Sequence, residues 1–205
     1  KVTFQGIAPT AARAIMSSGA EDFSGLESVH TFASTGEAWD DPTWRWLYDT
    51  VGQTRRPILN YSGGTETGGG ILTSYPFLPM DSASFNGPLL GMDVSVLDPE
   101  GRAIREDVGE LAVLNTWPGM THAFWQNSER YLETYWSKWP NAWYHGDLAS
   151  VSTNGVWRIH GRSDDTIKVS GRRVGPAEIE AALLKDPRIA EAAVIGVPDE
   201  ARGQR

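Results

Sequence analysis

The run Tyr61-Ser62-Gly63-Gly64-Thr65-Glu66-Thr67-Gly68-Gly69-Gly70 combines glycines, hydroxyls and a single carboxylate. Glycine lets a backbone approach a ligand closely and reach positive φ, and a chain bent that way can aim its N–H groups at an anion. The hydroxyls of Thr65 and Thr67 can donate to phosphate oxygens, and Glu66 is a hard oxygen ligand suited to Mg²⁺. Such a loop is fitted to hold a nucleotide and its metal. The same composition also makes an ordinary solvated turn, so the residues that accompany it decide between the two.

Downstream stand Tyr144-His145-Gly146-Asp147, then Gly161-Arg162-Ser163-Asp164-Asp165, then Lys168-Val169-Ser170-Gly171-Arg172-Arg173-Val174-Gly175-Pro176-Ala177-Glu178-Ile179-Glu180. Upstream stands Ser34-Thr35-Gly36-Glu37-Ala38-Trp39. In this order and spacing the blocks resemble the adenylate-forming superfamily, most closely its acetyl-CoA synthetase branch, from about Pro9 to the last residue. The resemblance implies an AMP-forming acid–CoA ligase whose small-molecule partners are a carboxylic acid, ATP with Mg²⁺, and CoA. A carboxylate does not acylate a thiol at neutral pH because its leaving group is poor. Exchanging that oxygen for AMP, with release of pyrophosphate, supplies a good one, and catalysis rests on positioning and electrostatic stabilisation. Transfer of the adenylate to a carrier-protein thiol or an amine is the alternative within the superfamily.

Residue by residue, the resemblance gives Thr65 and Glu66 the catalytic duties, with Glu66 on Mg²⁺. Gly36, Glu37 and Ala38 would contact adenine, and Asn60, Tyr61, Ser62, Gly63, Gly64 and Thr65 would complete the ATP and AMP site. Asp147 would accept both ribose hydroxyls. Arg162 would face the ribose or α-phosphate, and Arg173 would bring a cation near the phosphates. Ser170 and Gly171 would border the pantetheine path of CoA, and Asp164 would be the hinge of a rotating C-terminal lid. Leu184, Asp186 and Ile189 match a cation site of some relatives, although an ordinary helix end running into Asp186-Pro187 explains them equally.

Departures from the pattern are informative. Where acetyl-CoA synthetases carry two tryptophans and a glutamine, this chain has Ser62, Gly63 and Gly64. Losing the second indole removes a wall of the acyl pocket at Gly63, so the acid is expected to be longer than acetate. His145 stands for a Ser or Thr and is expected to make a neutral polar contact; Ala38 stands for a Pro. By the same resemblance, the phosphate loop would lie upstream of Lys1 and the catalytic lysine downstream of Arg205. The chain is therefore expected to be an internal piece of a longer protein, inactive alone.

The elements that must position these residues follow from local pattern. Pro9 opens a short helix, where its missing N–H costs nothing. Residues 29–34 read as a strand, and Asp40-Asp41-Pro42 starts a helix with Trp44, Leu47, Tyr48 and Val51 on one face. Residues 58–61 form a strand that feeds the Gly-rich loop. Strand, helix and strand imply an α/β layer with a parallel component. From Gly87 to His160 the texture changes to short β runs (93–97, 109–114, 156–160) separated by Asp98-Pro99-Glu100-Gly101 and Thr153-Asn154-Gly155, which favour antiparallel hairpins. Beyond Asp164 come a hairpin, a helix from Pro176 with Ile179, Ala182 and Leu183 on one face, and an apolar strand over 192–197. The expected fold is thus the end of a large α/β adenylation domain (1–84), a small β-barrel subdomain (85–161), and the hinge and start of an α+β C-terminal lid (162–205).

The net charge of −8 over 205 residues is uneven. Residues 1–161 hold 10 basic and 18 acidic side chains, whereas 162–205 hold 8 of each. This step coincides with the expected boundary. An acidic chain without a basic stripe is a poor nucleic-acid binder. No apolar run reaches the roughly 18 residues that a membrane span needs, and there is no charged-then-apolar leader. The absence of cysteine excludes disulfides and thiolate sites, and fits a cytoplasmic enzyme. Nine tryptophans would serve core packing, or, in a different class of protein, a non-enzymatic surface that stacks on sugars.

Overall fold

The computed structural model describes residues 1–169, 172–184, 186, 188–189, 192–199 and 203–204. Three strands, β1 (Phe4–Gly6), β2 (Thr31–Ser34) and β3 (Ile58–Gly64), run parallel and adjacent. Helix α1 (Pro9–Ser17) links β1 to β2, with Pro9 in its first turn. Helix α2 (Asp41–Trp46) leads from β2 toward β3 and begins where the Asp40 carboxylate accepts the Thr43 N–H at 2.9 Å. Trp44, Leu47 and Val51 are buried along one face as the spacing predicts, although Leu47–Val51 is wound as a π-helical turn. Strand β4 (Gly69–Thr73) folds back antiparallel on β3, and β5 (Gly87–Pro88) completes the sheet. The parallel component is as expected, but the sheet extends past residue 84 to include Gly87 and Pro88.

The second sheet comprises β6 (Val94–Leu97), β7 (Gly109–Val113), β8 (Trp143–Val151) and β9 (Trp157–Arg162), all antiparallel neighbours in that order. Helix α3 (Ser128–Trp136), started by the Asn127 side chain, lies between β7 and β8 in sequence. Among the described residues this sheet is open, not the closed barrel expected. Its outer strand β9 meets the segment that precedes β5, through a Phe85–Trp157 bridge. The two sheets share one core in which Ile71 and Leu72 pack with Val96, Leu111, Val113 and the fully buried Trp143. Burying each such side chain contributes about 1.5–3 kcal/mol.

The C-terminal part holds β10 (Ile167–Val169), β11 (Arg172–Val174), α4 (Pro176–Leu183), β12 (Pro198–Asp199) and β13 (Gly203–Gln204), with sheet order β11-β10-β13-β12. The strand expected over 192–197 is not formed. Half-buried and exposed residues alternate there as in a strand, but no ladder partner is present among the described residues, and Ile195 is 77% exposed. Ile179, Ala182 and Leu183 of α4 are likewise exposed.

Candidate nucleotide site

A cavity of about 260 Å³ opens at the carboxyl ends of β2 and β3. One wall is the segment after β2, with Gly36, Glu37 and Ala38; the next is Asn60, Tyr61, Ser62 and Gly63 from β3. Facing them are Asp147 from β8 and Arg162 from the end of β9. Four blocks separated by up to 126 residues in the chain, Gly36 to Arg162, therefore line one space. Open α/β sheets bind ligands at this end of their strands.

The segment after β2 is held from outside the cavity. The Glu37 carboxylate accepts the Thr10 N–H at 3.0 Å and the Thr10 hydroxyl at 2.7 Å, so a residue that lines the cavity also serves the first turn of α1. Asp40 accepts two bonds from Arg13, at 2.8 and 3.2 Å. Burial works against the Asp40 charge, but Arg13 and the Thr43 contacts outweigh it and hold the carboxyl below its ordinary range.

Asp147 and Arg162 are direct cross-strand partners of β8 and β9 and therefore share a face. Arg162 Nη1 donates to Asp147 Oδ1 at 3.3 Å and to the His145 carbonyl at 3.1 Å, while Nε donates to Asp164 Oδ1 at 3.0 Å. Gly146 is required between them: its φ is +84°, and a Cβ there would lie 2.7 Å from Arg162 Nη2. Burial pushes the Asp147 carboxyl up, with His145 and Arg162 acting against that rise. Burial opposes the Arg162 charge, but Asp164 and Asp147 together raise its pKa above the ordinary arginine value. The Arg162 hydrogen bond lowers Asp164, which sits in the bend between β9 and β10.

The Gly-rich run forms a β-hairpin, not a free loop. Its ladder shifts register between Ser62 and Gly63, and a Cβ on Gly63 would stand 2.1 Å from the Gly69 carbonyl oxygen. The side-chain direction at Gly63 thus points into the opposing backbone, so Trp at this position would break the hairpin before it could shorten a pocket. Thr67 is a correction to the sequence reading. It is fully buried, and its hydroxyl bonds the Gly64 and Gly69 carbonyls at 2.7 and 2.6 Å, so it holds the turn and does not face a phosphate. Thr65 is exposed at the tip of the turn and Glu66 is half-buried beside it.

Supports that the sequence reading did not single out hold this hairpin. Trp117 Nε1 donates to the Thr67 carbonyl at 2.7 Å, and Thr121 N donates to the Glu66 carbonyl at 2.9 Å. Tyr135 is pushed up to about 12 by burial and by its hydrogen bond to the Glu66 carboxylate. Its ring stacks on Trp143 at 4.0 Å and 8°. The signal is the aromatic density of residues 117–143, which sequence pattern reads as packing without a direction. Trp39, Trp44, Trp117, Trp139, Trp143 and Trp157 are indeed buried, while Trp125 is 89% exposed.

Other expected site residues fall elsewhere. Ser170 and Gly171 lie outside the described residues, and Arg173 is placed only as a backbone position of β11. The Asp186 carboxylate is taken by Arg188, at 2.5 Å to Nη2, and its carbonyl accepts the Ile189 N–H at 2.9 Å. With Leu184 capping α4, this geometry favours the plain helix end over a cation site at Leu184, Asp186 and Ile189. No group of three potential ligands for a metal occurs among the described residues, and no helix among them is long and apolar enough to cross a membrane.

Parallel strands with helical crossovers, backed by an antiparallel sheet and open at their carboxyl ends, define an α/β protein with a ligand cleft at the position where such sheets bind. Comparison makes this specific: a model of the AMP-binding enzyme family matches residues 1–125, and one of the AMP-binding enzyme C-terminal domain matches 178–205. The chain belongs to the AMP-binding enzyme family. Acetyl-coenzyme A synthetases from Psychromonas ingrahamii and Pyrobaculum aerophilum are 38% and 39% identical to it, over 100% and 99% of this chain and 32% and 31% of their own lengths. The acetoacetyl-CoA synthetase of Streptomyces lividans superposes with a TM-score of 0.85 at 32% identity, over 96% of this chain and 31% of that one. An anthranilate CoA ligase solved with anthranoyl-AMP gives 0.82 at 28%, over 99% and 38%. The chain spans about a third of the length of the curated relatives it matches.

Proposed function

We propose that this chain forms part of an AMP-forming acid–CoA ligase, which converts a carboxylate and ATP into an acyl-adenylate and pyrophosphate and then transfers the acyl group to CoA. One observation carries the reading: Gly36–Ala38, Asn60–Gly63, Asp147 and Arg162 line a single cavity. Adenine would lie along the main chain of 36–38, and Asp147 would take the ribose hydroxyls. Arg162, already balanced between two carboxylates, would face the ribose or α-phosphate. Glu66 would hold Mg²⁺, with Thr65 donating to phosphate beside it. A single protein carboxylate fits this ion, which keeps most of its shell for water and phosphate oxygens; the ion would neutralise phosphate charge. CoA would pass Ser170 and Gly171 as a lid turns about Asp164, with Arg173 approaching the phosphates. In this reading 1–84 ends the adenylation domain, 85–161 is a β subdomain, 162–205 opens the lid, and the protein works in the cytoplasm.

The acid is proposed to be larger than acetate. Ser62 and Gly63 line the cavity without an indole. Relatives named for acetoacetyl and anthranilate chemistry share the fold, while the sequence relatives are named for acetyl. The test follows pyrophosphate release by the full-length protein that carries this chain, with ATP, Mg²⁺ and acids from acetate upward, with and without CoA. Release that peaks above acetate and rises with CoA is expected. Release indifferent to CoA would move the acceptor to a carrier thiol or an amine, and no release with any acid would overturn the ligase reading.

A further inference from the structure

We propose that His145 is a positioning residue of this site: one neutral imidazole holds the Asp147 carboxylate and the Gly63–Gly64 backbone in a fixed relation. The proposal rests on the nucleotide reading of the cleft. His145 lies on β8 two residues before Asp147, on the same face, and is 8% exposed. The Trp143 indole Nε1 is 3.3 Å from His145 Nδ1. An indole N–H can only donate, so Nδ1 must present its lone pair and the ring proton sits on Nε2. That nitrogen stands 3.6 Å from Asp147 Oδ2. The ring also rests on the hairpin: a Cβ on Gly64 would lie 3.1 Å from His145 Cε1 and 3.7 Å from Nε2. The Gly63 backbone faces the ring as well and favours its protonated form, against the effect of burial.

One side chain therefore spans three partners on two sheets. A Ser or Thr hydroxyl could reach one of them but is too short to span all three. Trp143 fixes the tautomer and is itself immobile, being fully buried and stacked on Tyr135. The charged groups facing the imidazole are Asp147, Arg162 and Glu66. Burial dominates them and keeps the ring neutral, as the hydrogen-bond pattern requires. His145 touches the element that would receive ribose and the turn that would carry the phosphate contacts; toward the acid it meets only the Gly63 main chain, which the β3–β4 ladder also holds. Its loss is therefore expected to fall on ATP and to spare the acid.

The experiment uses the full-length protein. Long-range ¹H–¹⁵N spectra of the unliganded protein should show His145 protonated at Nε2 and bare at Nδ1. His145→Ala should raise KM for ATP about tenfold and leave KM for the acid within about twofold. His145→Gln, which keeps a donor near the Nε2 position, should recover most of the loss. Protonation at Nδ1, an unchanged KM for ATP in His145→Ala, or equal shifts of both KM values would each overturn the proposal. Should His145→Ala fail to fold, the tautomer and the His145→Gln kinetics decide. Absence of turnover by wild type with every acid would defeat the ligase reading, while the tautomer still judges the positioning role.

Discussion

The two walls of the cleft are held by different physics. The segment after β2 is fastened by polar links at its back, Glu37 to Thr10 and Asp40 to Arg13 and Thr43. The hairpin wall is fastened from within by aromatic side chains, each contributing one directed hydrogen bond: Trp117 to Thr67, Tyr135 to Glu66, and Trp143 through His145 to Gly63. Polar links at a surface are individually weak and exchange with water, whereas a stacked, buried ring has few alternative positions. The wall after β2 is therefore the one that can give when a ligand enters. The hairpin wall, which would carry the phosphate and ribose contacts, is preorganised.

Substitutions at matched positions should separate the walls, and the largest effect belongs to the aromatic hub. Trp143→Ala removes a fully buried ring and should cost about 4 kcal/mol in urea denaturation of the full-length protein, with the proposed nucleotide binding lost alongside. Survival with near-normal stability would show that the hairpin does not depend on the platform. Next comes a glycine pair. Gly63→Ala drives a Cβ into the Gly69 carbonyl, whereas Gly36→Ala, at φ +97°, meets nothing within 4 Å. The first should cost about 3 kcal/mol and the second only backbone strain of about 1–2 kcal/mol. Equal costs would mean that the two walls are equally tight. Asp40→Ala removes a helix cap and an ion pair, for about 1–2 kcal/mol, and should loosen 36–41 without changing amide exchange in 63–67.

How far the sequence exposes this arrangement depends on whether each signal is local. Helix starts at Pro9 and Asp40 and the parallel strands that lead to Ser34 and the Gly-rich run are written in short-range pattern. The blocks at Asp147 and Arg162 stand out only through their resemblance to the family, and the strand over 143–151 goes unread. Asp147 and Arg162 emerge as neighbours because β8 and β9 form a tight antiparallel pair. What stays hidden is direction. Nothing in Thr67 tells that its hydroxyl turns inward to close the hairpin, and nothing in Glu37 tells that its carboxylate turns back to α1. The nine tryptophans read only as bulk, because an indole's partner is set by tertiary contacts far away in sequence. Residues 192–197 mislead in the opposite sense: their apolar alternation is strand-like, but a strand needs a partner, and pattern alone supplies none.

The smallest expected effect is also the most discriminating, because acidification acts on the two walls in different ranges. Burial holds His145 below the ordinary histidine value, so on acidification the unfolded chain takes up that proton before the folded one. Stability then falls as pH drops below the ordinary histidine value and levels off below the folded one. Asp40 behaves otherwise: its carboxyl is held below the ordinary range, so its contribution is whole above that range and lost only as pH falls through it. Asp147, raised by burial, acts with the opposite sign: the folded chain takes up that proton before the unfolded one, so it offsets part of the His145 loss as pH nears the ordinary carboxylate value. Between the ordinary histidine and carboxylate values, amide exchange corrected for its intrinsic pH dependence should quicken at 63–67 and 145–147, by about 0.5–1 kcal/mol of opening free energy. It should stay level at 36–41. His145→Gln should flatten the change. If the variant keeps the dependence, or if both segments loosen together, the hairpin wall owes its pH response to something other than the buried imidazole.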